Sequence, residues 1–162
     1  MFLTFKKFND YSINLTSWLA IIIMGVITVV VGIQVFTRII LNNTVPWSEE
    51  VARMLTIWLI GLGASIGFRK GENMGVNFFV DRIPIKQKNY VELFVYLAIG
   101  YFLLVFLRIG MKYTISNLTQ LTPILQIHYS YFSGMIPISV VLMISYTVEK
   151  IFEIALKIKN TQ

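Results

Sequence analysis

The chain has 162 residues, of which 56% are hydrophobic and 14% are charged, and its mean hydropathy is +0.71. Ordinary soluble domains are roughly 25% charged, so the composition excludes that class and indicates a single integral membrane domain. The net charge of +6 comes from basic residues scattered between apolar runs, which is a pattern of membrane topology rather than of nucleic-acid binding.

Four apolar runs are long enough to cross a bilayer, because a helical span needs about 20 mostly apolar residues. The predicted spans are about 18–41, 51–68, 91–110 and 131–149. Their continuous apolar character lacks the alternation of a membrane β-strand, so the predicted fold class is all-α with four transmembrane helices. The first run is too long for a signal-peptide core and has no small-residue cleavage site, so we expect it to stay as a signal anchor.

The distribution of lysine and arginine predicts the orientation. Ten of these residues precede the first span, lie between the second and third, or follow the fourth, and four border the opposite side. Because cytoplasmic segments carry the excess of positive charge, both termini and the middle loop are expected in the cytoplasm.

The two longer loops differ in character. The segment 71–90 mixes apolar and basic residues, and we interpret part of it as interfacial between helices 2 and 3; the alternative is an ordinary basic loop. The loop 116–130 is almost uncharged, which is compatible with a shallow position on the outer side.

A charged cluster opens the second span. Ser48 is the predicted N-cap, and Glu49 and Glu50 suit the positive end of the helix dipole. Glu49 and Arg53 are four residues apart and can pair along one helix face. Charges against an apolar run either simply start the helix or contact another subunit, and both interpretations stay open.

Small residues recur at four-residue spacing in the second span, as the pairs Gly61 with Ser65 and Gly63 with Gly67. Small residues let helix backbones approach closely in lipid. The pattern predicts tight helix packing, either within the four-helix unit or against a partner subunit.

The chain has few residues that could carry catalysis or bind a metal or cofactor. The chain has no cysteine and a single histidine, His128, and no residues have metal-ligand or phosphate-loop spacing. We therefore expect no catalytic residue, metal or cofactor in this chain, and no enzyme activity. Four short spans almost without charge at mid-depth lack a transport pathway of their own. A subunit that acts through helix packing remains, with a stand-alone redox or regulatory membrane subunit as the alternative.

Three stretches, 45–53, 58–65 and 69–77, carry a family resemblance, supported by 122–125 and 136–138. Together they resemble the small membrane subunit, of the DctQ type, of TRAP (tripartite ATP-independent periplasmic) transporters. Two positions depart from that pattern, since Asn73 stands where the family often has histidine and Asn77 where it often has aspartate.

The resemblance implies a place in the bacterial inner membrane beside a large membrane subunit that carries the substrate and sodium sites. A periplasmic substrate-binding protein would deliver an organic acid, such as a C4-dicarboxylate or sialic acid, for sodium-driven uptake. The small subunit would brace the large one within the membrane lipid. From their position at the two ends of the glycine-bearing helix, we hypothesise that six residues contact the partner subunit: Trp47, Glu49, Glu50, Arg53, Arg69 and Glu72.

Overall fold

The structure is a computed structural model that describes residues 2–40, 42, 45–70 and 85–161, with side chains over 5–40, 42, 45–70 and 89–158. Its helices are α1 (Phe2–Ile40), α2 (Pro46–Arg69), α3 (Ile85–Ser116), the short α4 (Ser130–Ser133) and α5 (Met135–Thr161).

Within the described residues, four helical segments are long and apolar enough to cross a membrane, which confirms the predicted all-α class. Helices α2 and α3 extend past both bounds of the predicted spans 51–68 and 91–110, and α1 begins well before the predicted start at residue 18. The 39 residues of α1 make a rod of about 58 Å, nearly twice the ~30 Å of a bilayer's hydrocarbon core. The first turns of α1 can therefore carry polar residues that pack at the edge of the span.

The long helices form a row rather than a closed bundle. Helix α1 packs on α2, α2 packs on α5, and α5 packs on α3, while α1 touches α5 only lightly and makes no substantial contact with α3 within the described ranges. The most buried side chains accordingly lie on the inner helices, and they include Leu62, Met135, Val140 and Tyr146. Most of the apolar surface of α1 and α3 is left for lipid or for a partner.

Successive helices run antiparallel, which defines two ends of the row. We call the end where α1 begins and α5 finishes the terminal end, and the other the hairpin end. The connection between α3 and α4 contains the hairpin, residues 120–129, in which Leu121 and His128 form a β-bridge. The backbone N–H of Thr122 donates to the carbonyl of Ile127 at 2.9 Å.

The fourth span breaks at Gly134, three residues before Pro137. Pro137 has no N–H to give the carbonyl of Ser133, and its ring clashes with that carbonyl in a regular helix. The freed oxygen accepts a hydrogen bond from Thr114 Oγ1 of α3 at 3.1 Å. A neighbouring hydroxyl thus satisfies the backbone group that proline strands, as an apolar environment requires.

Candidate functional site

Helix α2 begins one turn earlier than its apolar run, at Pro46, with Val45 as the N-cap. The prediction that Ser48 caps the helix is wrong, because proline at the first position already fits the helix start and moves Ser48 inside the first turn. The fully buried Ser48 hydroxyl instead donates to the carbonyl of Val45 at 2.6 Å. Trp47 beside it remains partly exposed.

The predicted pair between Glu49 and Arg53 is confirmed. Glu49 Oε1 lies 2.9 Å from Arg53 Nη2, and the two side chains are 66% and 63% exposed. An exposed pair of this spacing contributes only about 0.3–0.5 kcal/mol to helix stability. Its charges remain accessible from outside the chain.

Glu50 turns the other way and reaches the hairpin. Its two carboxylate oxygens accept hydrogen bonds from the backbone N–H groups of Ile124, at 3.0 Å, and Leu125, at 2.9 Å. Beside this contact, a small cleft between the start of α2 and the hairpin is lined by residues that include Arg53, Thr122 and Phe132. Glu50 is therefore engaged within the chain, whereas Glu49 next to it is not.

The small residues of α2 divide in the same way. A Cβ added at Gly61 would lie 2.9 Å from Met135 Cγ, and Ser65 is fully buried with its hydroxyl 3.3 Å from the carbonyl of Ser139 on α5. Among the described residues, a Cβ at Gly63 or Gly67 would meet nothing within 4 Å. The first pair packs inside the row, whereas the second pair has no described neighbour at its Cβ positions.

One face of α2 is consequently uncovered along its whole length. Its residues follow at alternating intervals of four and three, which keeps them on one side of the helix. We call this face the open stripe; it consists of Glu49, Arg53, Thr56, Ile60, Gly63 and Gly67, all exposed except the half-buried Gly67. It brings together four of the residues singled out from the sequence, and Trp47, Glu50, Gly61, Ser65 and Arg69 lie off it.

Arg69 lies inside the terminal end. Its Nη2 is 2.7 Å from Asp10 Oδ1 of α1 and 2.9 Å from Glu149 Oε1 of α5, and its guanidinium carbon is 5.7 Å from the centre of the Tyr146 ring. Only 12% of the Arg69 side chain is exposed. The arginine thus joins α1, α2 and α5 at one point.

Glu149 is fully buried. Its Oε2 accepts a 2.7 Å hydrogen bond from Asn9 Nδ2, and Asn9 Oδ1 accepts another from Ser145. Oε1 receives no hydrogen bond of good geometry within the described part of the chain, so the nearby Arg69 charge neutralises it. Sequence reasoning missed this group. The sequence signal that could have found it is a glutamate at the end of an apolar run. An ionisable group at that depth needs a partner, so its position pointed to an ion pair.

A second, more exposed ion cluster flanks the first. Glu153 Oε1 lies 2.9 Å from Lys6 Nζ, and its Oε2 lies 3.0 Å from Lys150 Nζ. The pairs extend the attachment of α1 to α5 by one turn.

Several predictions fall outside the described residues: the contact role of Glu72, the departures at Asn73 and Asn77, and most of the interfacial segment 71–90.

The described residues contain no group of three or more histidine, cysteine, aspartate or glutamate side chains placed to hold a metal ion. What the geometry offers is a set of helix-to-helix attachments and an uncovered helix face. It defines a multi-pass membrane protein that presents packing surfaces.

Comparison with known proteins identifies the family to which this membrane protein belongs. The family model for the DctQ component of tripartite ATP-independent periplasmic transporters matches residues 27–157. The chain therefore belongs to this family, as the sequence resemblance predicted, and is a small permease subunit of a TRAP transporter.

Three relatives show which kinds of TRAP transporter subunit the chain is similar to. The sialic acid TRAP transporter small permease protein SiaQ of Vibrio cholerae is 26% identical over 141 residues, 87% of this chain and 82% of the relative. The C4-dicarboxylate TRAP transporter small permease protein DctQ of the same species is 21% identical over 84 residues, covering 52% and 36%. The sialic acid TRAP transporter permease protein SiaT of Haemophilus influenzae is 26% identical over 102 residues, 63% of this chain but 17% of that protein.

Proposed function

We propose that this subunit braces a large membrane subunit in the bacterial inner membrane and has no enzyme activity of its own. The complex would take up an organic acid of the sialic acid or C4-dicarboxylate type, delivered by a periplasmic binding protein and driven by sodium. Membership of the DctQ family supports this proposal, and so do the substrates named in two relatives.

The observation that carries the proposal is the open stripe of α2. It has small residues at one end, where another helix backbone could approach closely, and an accessible ion pair at the other. A surface that faced only lipid would gain nothing from two glycines, since glycine weakens a helix by about 1 kcal/mol relative to alanine. We propose that a helix of the large subunit packs along this stripe.

The substitutions Gly63→Leu and Gly67→Leu test this contact. Because a Cβ at either position meets nothing within 4 Å among the described residues, we expect the larger side chain to leave the subunit itself intact and to obstruct only an approaching partner. Co-purification with a tagged large subunit, and sodium-dependent uptake by the reconstituted complex, are both expected to fall.

Gly25→Leu on α1 is the matched control, because a Cβ there also meets no described residue within 4 Å. This variant is expected to retain the complex and the uptake. Full complex formation by the two α2 variants would reject the stripe as the contact, and loss in the Gly25 variant alone would assign the contact to α1.

The polar neighbours of the glycines are the second part of the proposed contact. Glu49 and Arg53 would form hydrogen bonds to the partner at the hairpin end of the stripe, with Trp47 at its edge. Reversing the pair, as Glu49→Arg with Arg53→Glu, keeps the pair within the helix but inverts what the partner meets. We expect the double variant to fold normally and to lose affinity for the large subunit, and unchanged affinity would contradict the role of these charges.

A further inference from the structure

The hairpin between α3 and α4 exposes apolar side chains outside the long helices. Leu121, Ile124 and Leu125 of the hairpin are 37–51% exposed, and Leu118 just before it is 52% exposed. From Tyr113 to Val148 the sequence contains no aspartate, glutamate, lysine or arginine. A loop that entered bulk water would normally be polar, and an exposed apolar patch marks a contact with a membrane or a protein.

The apolar surface is continuous with that of the spans on either side. Ile115 and Tyr113, in the last turn of α3, are 61% and 55% exposed, and Tyr131 in α4 is 57% exposed. These side chains belong to helices that cross the membrane, so the hairpin extends a surface that already faces the bilayer or its border. Exposed tyrosines at span ends are typical of the headgroup level.

Most backbone N–H groups at the hairpin tip are hydrogen-bonded within the protein, as a medium poor in water requires. Between Thr122 and Ile127 every backbone N–H except that of Gln126 has an acceptor, and Pro123 has no N–H to satisfy. Irregular backbone is tolerated near lipid only where its polar groups are paired within the protein.

Glu50 supplies the acceptors for two of these groups and ties the tip to α2. Its carboxylate receives the N–H groups of Ile124 and Leu125, while Trp58 Nε1 donates to the carbonyl of Tyr131 at 2.9 Å. The hairpin is therefore held against α2 at its tip and at its base.

We propose that the hairpin lies in the headgroup layer of the bilayer, with its aliphatic side chains turned to lipid and Glu50 as the residue that positions it. The occupant of this surface is lipid, because the surface is uncharged and continuous with that of the spans. Its depth is the headgroup layer rather than the hydrocarbon core, since the exposed charges of Glu49 and Arg53 line the same cleft as Thr122, Pro123 and Ile124. Lys112, near the end of α3, adds a further charge at this level.

The absence of cysteine from the chain makes the test direct. Single cysteines introduced as Leu121→Cys and Ile124→Cys carry a nitroxide label, and Gln120→Cys is the matched polar neighbour. The subunit is reconstituted with a cysteine-free large subunit in phosphatidylethanolamine and phosphatidylglycerol vesicles. Relaxation of each label by lipid-soluble oxygen is compared with relaxation by a water-soluble nickel complex.

Labels at 121 and 124 are expected to respond more to oxygen than to nickel, and the label at 120 more to nickel. Stronger relaxation by nickel at all three positions would place the hairpin in water and overturn the proposal. Protection of 121 and 124 from both reagents in the complex would show that protein covers the hairpin, which overturns it as well.

The positioning role of Glu50 has its own measurement. In the Glu50→Ala background the label at 124 should become more mobile, and its nickel response should rise to that of the label at 120. Glu50→Gln, which retains one amide oxygen as an acceptor, should give an intermediate response. Glu92→Ala, which removes a half-buried carboxylate near the opposite end of α3, is the control and should leave the label unchanged. An unaltered response in Glu50→Ala would remove Glu50 from the positioning of the hairpin.

Discussion

At the scale of single residues, two carboxylates are engaged by groups of the same chain. Glu50 binds backbone N–H groups of the hairpin, and the fully buried Glu149 faces Arg69. A buried charge is tolerated because a partner of opposite charge and a hydrogen-bond donor stand beside it. Asn9 is that donor, at 2.7 Å.

The pair of Arg69 and Glu149 leads to a prediction about the stability of the fold. Arg69→Ala leaves a buried carboxylate without its counter-charge and should lower the free energy of unfolding by about 3–5 kcal/mol. Denaturant-induced loss of helical circular dichroism in detergent measures the change. Lys70→Ala, at the exposed next residue, is the control and should behave as the unchanged chain.

A double variant separates this explanation from a loss of packing. Arg69→Met combined with Glu149→Met removes both charges and retains apolar volume, so it should be more stable than Arg69→Ala alone. If the double variant is the less stable of the two, the desolvation argument fails.

At the scale of helices, the space available for a Cβ at each glycine shows how closely two helix backbones approach. On α3, a Cβ at Gly110 would lie 2.9 Å from Ile136 Cγ2 of α5, whereas one at Gly100 would lie 3.7 Å from Thr147 Cγ2. The first distance is too short for a side chain, and the second is an ordinary contact.

We therefore expect the two alanine substitutions on α3 to act in opposite directions. Gly110→Ala should lower the free energy of unfolding by about 1–3 kcal/mol, because it overpacks the crossing with α5. Gly100→Ala should be neutral or stabilising by up to about 1 kcal/mol, because alanine favours the helix. Thermal unfolding of the two variants side by side checks this, and equal effects would contradict the assigned crossing point.

The helix scale also shows how far sequence reasoning reaches. Spacing identified both small pairs of α2 but could not say which face each occupies, since a period of four residues is the same on every side of a helix. Only the position of α5 separates Gly61 from Gly63. In the same way, the negative charge at Glu49 and Glu50 was visible in the sequence, whereas the hairpin that engages Glu50 lies over 70 residues away.

At the scale of the whole molecule, the described helices form a row whose two ends carry different chemistry. Ion pairs gather at the terminal end, and the apolar hairpin occupies the other. Residue counts of lysine and arginine predict that the terminal end faces the cytoplasm. The four spans were predictable from hydropathy because lipid imposes a simple length requirement.

The predicted orientation is open to a labelling experiment on intact cells. Gln120→Cys at the hairpin end should react with a membrane-impermeant maleimide, and Lys70→Cys at the terminal end should react only after the cells are lysed. Both positions are exposed, so access to the reagent decides the outcome. The reverse pattern would overturn the orientation with both termini in the cytoplasm.

The row of helices also bears on how this family can diverge. A helix at the edge of a row, such as α1, presents most of its surface to lipid, which demands apolar character but no particular shape. Many sequences meet that demand, in keeping with only 26% identity to a relative that matches over 141 residues. We expect the positions that resist drift to be those with a specific partner inside the chain, foremost Arg69, Glu149 and Gly61.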